Sequence, residues 1–128
     1  MAKLTDRARE LITAPNFAFL AELMPDGSPH VSPIWIDLEG ELILVNTAKG
    51  RLKERNMRRD PRVAISLSPL DDPYAHVDIR GRVVRIVEGE EAVAHIDRLG
   101  RKYRGWERYP LRAGEERVSF LIDPIVCF

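Results

Sequence analysis

The sequence predicts a small, mainly β protein: a β-barrel with helices on its outside. Three observations predict it. Six short apolar or alternating runs, each bounded by Gly, Pro, Asn or Asp, read as strands. Three segments carry helical rather than strand periodicity. All of this sits in 128 residues, one domain over 1–128, which implies a small barrel.

Composition excludes several classes. Lys+Arg and Asp+Glu are 20 each, so the net charge is zero, which argues against non-specific nucleic-acid binding. A hydrophobic fraction of 45% argues against disorder. Cys127 is the only cysteine and cannot pair within the chain. No stretch approaches the roughly 18 apolar residues of a membrane span. The start, Met1 to Arg7, has no apolar run of the signal-peptide kind. The expected location is therefore cytoplasmic.

The elements follow in order. Leu4, Ala8, Leu11 and Ile12 recur at helical spacing, with Asp6 in the first turn and Pro15 as the stop. The run 16–23 reads as a buried strand, and Pro25-Asp26-Gly27-Ser28-Pro29 as a turn. Residues 30–38 resume as a strand, Glu39-Gly40 reverse the chain, and 41–47 return, so the first half is expected to be a three-stranded meander. A helix over 48–59 places Leu52, Arg55, Asn56 and Arg59 on one face, and Asp60-Pro61 ends it. Residues 62–68 alternate, with Val63, Ile65 and Leu67 together. A long strand over 74–87 changes phase between Val77/Ile79 and Val84/Ile86, which predicts a β-bulge at Gly81. A helix over 88–103 has acidic residues early and basic residues late. Residues 105–114 are irregular and aromatic, and 117–122 form the last strand. Apolar edges of this kind are hazardous when exposed, so a homodimer is expected to cover them.

Familiar catalytic signatures are missing: no H-E-x-x-H, no P-loop, no G-x-G-x-x-G and no G-x-S-x-G. His30, His76 and His95 lack metal-ligand spacing, so no metal site is expected. The strongest anomaly is the run Lys49 to Arg62, with seven basic residues against two acidic in a neutral chain. One reading is a solvated helix face. The other is an anion cradle formed by Asn46, Thr47, Lys49, Arg51 and Lys53, because the run begins where a strand gives way to a helix N-terminus. There Thr47 donates a hydroxyl and Arg51 grips an anion with two parallel bonds. Arg55, Arg58, Arg59 and Arg62 are left to surface pairs and dimer contacts. The second anomaly is the strand His30 to Trp35. Alternation puts His30, Ser32 and Ile34 on one face. Pro33 belongs to an edge, whose free backbone groups suit the rim of a flat heterocycle, or merely ends pairing. Trp35 faces either that ring or the core.

The strings Gly27-Ser28-Pro29-His30-Val31-Ser32-Pro33-Ile34-Trp35, Asn46-Thr47 and Gly50-Arg51-Leu52-Lys53-Glu54-Arg55-Asn56-Met57-Arg58-Arg59-Asp60-Pro61-Arg62-Val63 carry a resemblance. With Asp97 to Tyr103 and Arg117 to Phe120, they resemble the pyridoxamine-5′-phosphate-oxidase-like split β-barrel flavoproteins. Within these, the deazaflavin-dependent reductases of actinobacterial type are the nearest match. The resemblance implies an FMN-binding-like split barrel and a homodimer with cofactor sites at the subunit interface. It implies that Arg51 and Lys53 hold the cofactor phosphate with Asn46 and Thr47, that His30, Ser32, Pro33 and Ile34 line the ring system, and that Tyr74 and His76 match positions near the pocket. It implies hydride transfer between coenzyme F420 and a small conjugated substrate, a reaction in which the protein positions the reactants and needs no triad. The basic helix suits the acidic tail of that coenzyme. FMN in the same fold is the alternative, and a non-catalytic flavin-binding or storage module is a third reading. The chain lacks the Arg-rich C-terminal segment of the pyridoxamine phosphate oxidases, so that activity is not expected.

Overall fold

Seven strands and three helices make up the computed structural model, which describes residues 3–128. The strands are β1 (Ala18–Leu23), β2 (Pro29–Ile34), β3 (Asp37–Glu39), β4 (Leu42–Ala48), β5 (Arg62–Leu67), β6 (Val77–Glu88) and β7 (Arg117–Cys127). The helices are α1 (Asp6–Thr13), α2 (Leu52–Arg59) and α3 (Gly89–Arg104). All strand pairs are antiparallel, in the order β2-β1-β5-β6-β7-β4-β3. The sheet curls without closing, and the result is a split barrel with flanking helices.

The split corrects the expected meander. Residues 30–38 do not form one strand. The chain leaves the ladder at Trp35 and Ile36, so that β2 pairs with β1 while β3 pairs with β4 at the opposite edge. Pro33 has no N–H to donate, and β2 is an edge strand, where that loss is harmless. Ile36 finds its partners on α3 instead. Its N–H donates to Tyr103 Oη at 3.2 Å, and its carbonyl accepts from Lys102 Nζ.

Inside the curl, Leu20, Ile34, Ile36, Ile43, Val45, Ile65, Ile79, Phe120 and Ile122 pack with Ala8, Leu11 and Ile12 of α1 in one core. Thr5 caps α1, its hydroxyl accepting from the Ala8 N–H. On the outside, α3 lies along β6, β7 and β4 and ends at Gly105, whose φ of 70° is the left-handed cap that glycine supplies cheaply.

Strand β6 starts at Val77, later than the sequence suggests, and its register slips at Arg80/Gly81, the expected bulge, and again at Val83/Arg85. Gly81 is required by close approach: a Cβ there would lie 2.5 Å from Ile122 Cγ2 and 3.0 Å from the Asp123 carbonyl. The expected change of phase occurs at the second slip rather than at Gly81. Ile86 pairs with Phe120 and so shares the face of Val77 and Ile79, although it is 39% exposed, while Val87 packs with Leu44 and Leu121 on the opposite face.

The outer face of β2, β1, β5, β6 and β7 carries apolar residues interrupted by Arg80, Ser66 and Asp78. Val31, Ala21, Ala64, Arg80 and Val126 form one cross-strand row; Pro33, Phe19, Ser66 and Asp78 form the next. Val31 is 62% and Phe19 51% exposed. Among the described residues, no helix is long and apolar enough to cross a membrane.

Candidate functional site

The site is built where the barrel splits. The end of β2 and the end of β4 flank a cavity of about 270 Å³, with α2 and the segment before β7 completing its walls. Its polar lining is Asn46, Thr47, Arg51, Lys53 and Arg117, and its apolar lining is Phe17, Pro33, Ile34, Trp35, Ile96 and Tyr109.

The polar lining is positioned by the turn after β4. Gly50 adopts φ +94°, which turns the chain sharply and lets Arg51, still extended, cap α2. The helix thus begins at Leu52, four residues later than the sequence suggests. Two of the backbone donors expected to meet an anion are already used. Gly50 N–H donates to Glu54 Oε1 at 2.9 Å, and Arg51 N–H to the Ala48 carbonyl. Glu54 is 4% exposed and also accepts from Arg58 Nε. Burial opposes its ionisation, but the Gly50 amide and Arg58 outweigh it and hold the carboxyl below its ordinary value. The amides of Leu52, Lys53 and Glu54, which open α2 with no acceptor among the described residues, remain beside the side chains. Thr47 Oγ1 is buried without a hydrogen-bond partner. Lys53 is held below its ordinary pKa, chiefly by burial; Glu22 opposes this, and the charges of Arg51 and Arg117 reinforce it.

Cations nearby divide sharply. Arg58 pairs with Glu54 and Glu88, Arg62 with Asp60, Arg117 with Glu115, and Lys49, more loosely, with Glu116 at 3.9 Å. Arg51 and Lys53 have no carboxylate partner among the described residues.

The remaining expected site residues fall in three places. Pro33 and Ile34 line the cavity. His30 and Ser32 share the inward face with Ile34, as alternation requires, but are not among its lining residues. His30 Nδ1 lies 2.6 Å from Oε1 of the buried Glu22, which also accepts from Asn56 Nδ2. Glu22 Oε2 and Ser32 Oγ are buried without partners. Tyr74, 91% exposed, and His76, whose Nδ1 meets Asp78 at 2.9 Å, lie away from this cavity. The buried face of α2 is Glu54, Asn56 and Met57, rather than the face through Leu52 and Arg55. Asn56 and Glu54 turn inward because each has a polar partner there.

Trp35 faces the cavity and an aromatic cluster at once. It lines the cavity and stacks on Tyr103, with centroids 5.3 Å apart and planes at 4°, while meeting Trp106 and Tyr109 edge-on. Sequence reasoning missed Arg117, Tyr109, Phe17 and Ile96. For Arg117 a signal existed: an arginine opening an otherwise apolar strand, Val118 to Ile122. Elsewhere, Glu39, Glu91 and His95 bring ligand atoms within 4.8 Å of one another, but Arg98 and Arg85 already pair with the two carboxylates.

Comparison with known proteins agrees with this geometry. A family model described as pyridoxamine 5′-phosphate oxidase matches residues 4–124. A solved structure named F420 reductase is 29% identical, with 98% of each chain covered and a TM-score of 0.86. The conserved hypothetical protein Rv2991 from Mycobacterium tuberculosis is 24% identical over 97% of this chain and 82% of its own, with a TM-score of 0.77. General Stress Protein 26 from Bacillus anthracis is 18% identical over 96% and 90%, with a TM-score of 0.71. The last two share the fold. The match of the family model along nearly the whole sequence makes this chain a member of the pyridoxamine 5′-phosphate oxidase family.

Proposed function

We propose that this protein is an oxidoreductase that binds coenzyme F420 and passes a hydride between it and a small conjugated organic molecule. One observation carries the reading: a single cavity is lined by two unpaired cations, an unpartnered buried hydroxyl and the apolar side chains of Pro33, Ile34 and Trp35. That combination suits a ligand with a phosphate at one end and a planar ring at the other. The F420 reductase at 29% identity supports the choice of cofactor.

When bound, the deazaflavin ring supplies the hydride chemistry. The chain's own residues bind and orient. Arg51 and Lys53 neutralise the phosphate, and the Thr47 hydroxyl donates to it. Pro33, Ile34 and Trp35 offer the ring an apolar surface and keep water from it. No acid–base pair is required for that role.

A homodimer belongs to the same reading. The rows through Val31 and Phe19 are a surface that a second copy would cover, and Tyr74 and His76, remote from this cavity, are left for that interface. The lone, unpaired thiol of Cys127 fits a reducing, cytoplasmic setting.

The test is binding of F420 and of FMN to the purified apoprotein by fluorescence titration. The reading expects tighter binding of F420. Tight FMN binding without F420 binding would replace it with the FMN alternative. Binding of F420 without reduction of any acceptor in a conjugated panel would leave a storage module. In sedimentation, a stable 14.6 kDa monomer would remove the interfacial site.

A further inference from the structure

We infer that Arg117 is the third anion-gripping residue of the cavity, and that Asn46 acts on the bound anion only by aiming Arg117. The inference rests on the reading that the ligand carries a phosphate, and it assigns the work of holding that group.

Arg117 opens β7, lines the cavity and is only 5% exposed. Three contacts fix its guanidinium. Nε donates to Asn46 Oδ1 at 2.9 Å, Nη1 donates to Glu115 Oε2 at 2.7 Å, and the group lies over the Tyr109 ring at 4.8 Å. Among the described residues nothing accepts from Nη2. A buried guanidinium with a spare edge on a cavity wall is pre-organised for an oxyanion, and little side-chain entropy remains to be lost on binding. Arg117 is also close enough for its charge to help depress the Lys53 pKa, so the three cations converge on one region.

Asn46 has no donor left for a ligand. Its amide nitrogen donates to the Ala92 carbonyl at 2.9 Å and to Ser119 Oγ at 2.8 Å. The reverse orientation would set Oδ1 against the Ala92 carbonyl oxygen and is excluded on that ground. Ser119 Oγ in turn lies 2.7 Å from Nδ1 of the buried His95; whichever of the two donates, a lone pair on Oγ remains for Asn46. The amide is thus locked with its acceptor toward Arg117. An acceptor cannot hold an anion, so Asn46 is a positioning residue.

The experiment compares affinities for F420 and for its phosphate-free chromophore, 8-hydroxy-5-deazariboflavin, with FMN and riboflavin as a parallel pair. Arg117→Met should weaken the phosphorylated member about 10- to 100-fold and leave the phosphate-free member nearly unchanged. The latter also reports that the variant has folded. Asn46→Ala should weaken the phosphorylated member about 3- to 10-fold, and the double variant should be no worse than Arg117→Met alone. If Arg117→Met does not fold, Arg117→Lys carries the test, because it keeps the charge and loses the fork; about 3- to 10-fold weakening is expected. Wild-type protein that binds neither phosphorylated ligand better than its counterpart would overturn the phosphate reading and this inference with it. Wild-type preference for phosphate that survives unchanged in the Arg117 variants would overturn this inference alone. Losses that multiply in the double variant would show Asn46 gripping the anion directly.

Discussion

The basic run between Lys49 and Arg62 divides into two halves that composition cannot distinguish and the fold treats in opposite ways. In the later half, Arg58 is bound by Glu54 and Glu88, Arg59 donates to the Leu23 carbonyl and Asn56, and Arg62 grips Asp60 through two oxygens. These cations spend their donors on the chain itself. In the earlier half, Arg51 and Lys53 face a cavity and have no carboxylate among the described residues, although Glu54 sits between them and Arg58 in sequence. Glu54 instead turns back to the Gly50 amide and Arg58. A local excess of positive charge therefore does not locate a site. Lack of a partner does not locate it alone either, because Arg55 is exposed and unpaired among the described residues yet does not line the cavity. Position decides: Arg51 and Lys53 stand on a cavity wall beside a buried, unpartnered threonine hydroxyl and the side chains of Pro33, Ile34 and Trp35.

The largest effect should come from the earlier half. Arg51→Ala and Lys53→Ala are each expected to weaken cofactor binding by about 1.5–3 kcal/mol, the range for hydrogen bonds to charged groups. Isothermal titration of the two variants checks this, and wild-type affinity in both would erase the distinction between the halves. Glu54→Gln should act on the fold instead. It leaves Arg58 without its nearest carboxylate and weakens the hold on Gly50, so about 1–2 kcal/mol of stability should disappear. Cofactor affinity should not fall, because the change removes a negative charge from beside the mouth. Urea denaturation paired with titration of the same variant separates the two outcomes.

How much of this was legible in the sequence follows from which interactions are local. Strand periodicity exposed most of the core, because Val63, Ile65 and Leu67 face inward by simple alternation. The bulge at Gly81 was legible for the same reason. The break after Ile34 was not: it depends on Tyr103 and Lys102, more than sixty residues away, satisfying Ile36. Arg51, Lys53 and Thr47 announce themselves beside a turn, and the cavity gathers all three. Arg117 reaches the same cavity only through the pairing of β4 with β7, which sets Thr47 opposite Val118 and Ala48 opposite Arg117. No spacing within the chain encodes that meeting. His30 and Ser32 share the face of Ile34, as alternation requires, but neither lines the cavity, and Glu22 claims the histidine.

A smaller effect sharpens the contrast through pH. Burial, with Arg51 and Arg117, holds the Lys53 pKa below its ordinary value, and Glu22 only partly offsets this. A bound anion favours the ammonium and raises that pKa, so binding takes up a proton wherever the free lysine has begun to lose its own. Affinity must then fall as pH rises through the lowered value. Dissociation constants measured toward alkaline pH should rise as the free lysine loses its proton. Lys53→Arg, which stays charged throughout, should flatten that part of the profile. The difference between the two proteins isolates Lys53 from any ionisation of the ligand.

The smallest effect belongs to Arg62, the residue that on charge alone looks equal to Arg51. Arg62→Ala should leave cofactor affinity unchanged, because its guanidinium points at Asp60 on an exposed surface rather than into the cavity. What it should change is the titration of one carboxyl. The Arg62 side-chain bonds, reinforced by its backbone amide, bring Asp60 down to about 2 from its ordinary 3.8. A depressed carboxyl lends its stability above the unfolded pKa and withdraws it as pH falls through the folded one, so the loss runs across the interval from 3.8 down to about 2. Carbon-13 NMR of the Asp60 carboxyl should show its midpoint moving up toward the ordinary value in Arg62→Ala, and less strongly in wild-type protein as salt is added. An affinity loss in Arg62→Ala comparable to that of Arg51→Ala would show that the whole basic run, and not its unpaired half, faces the ligand.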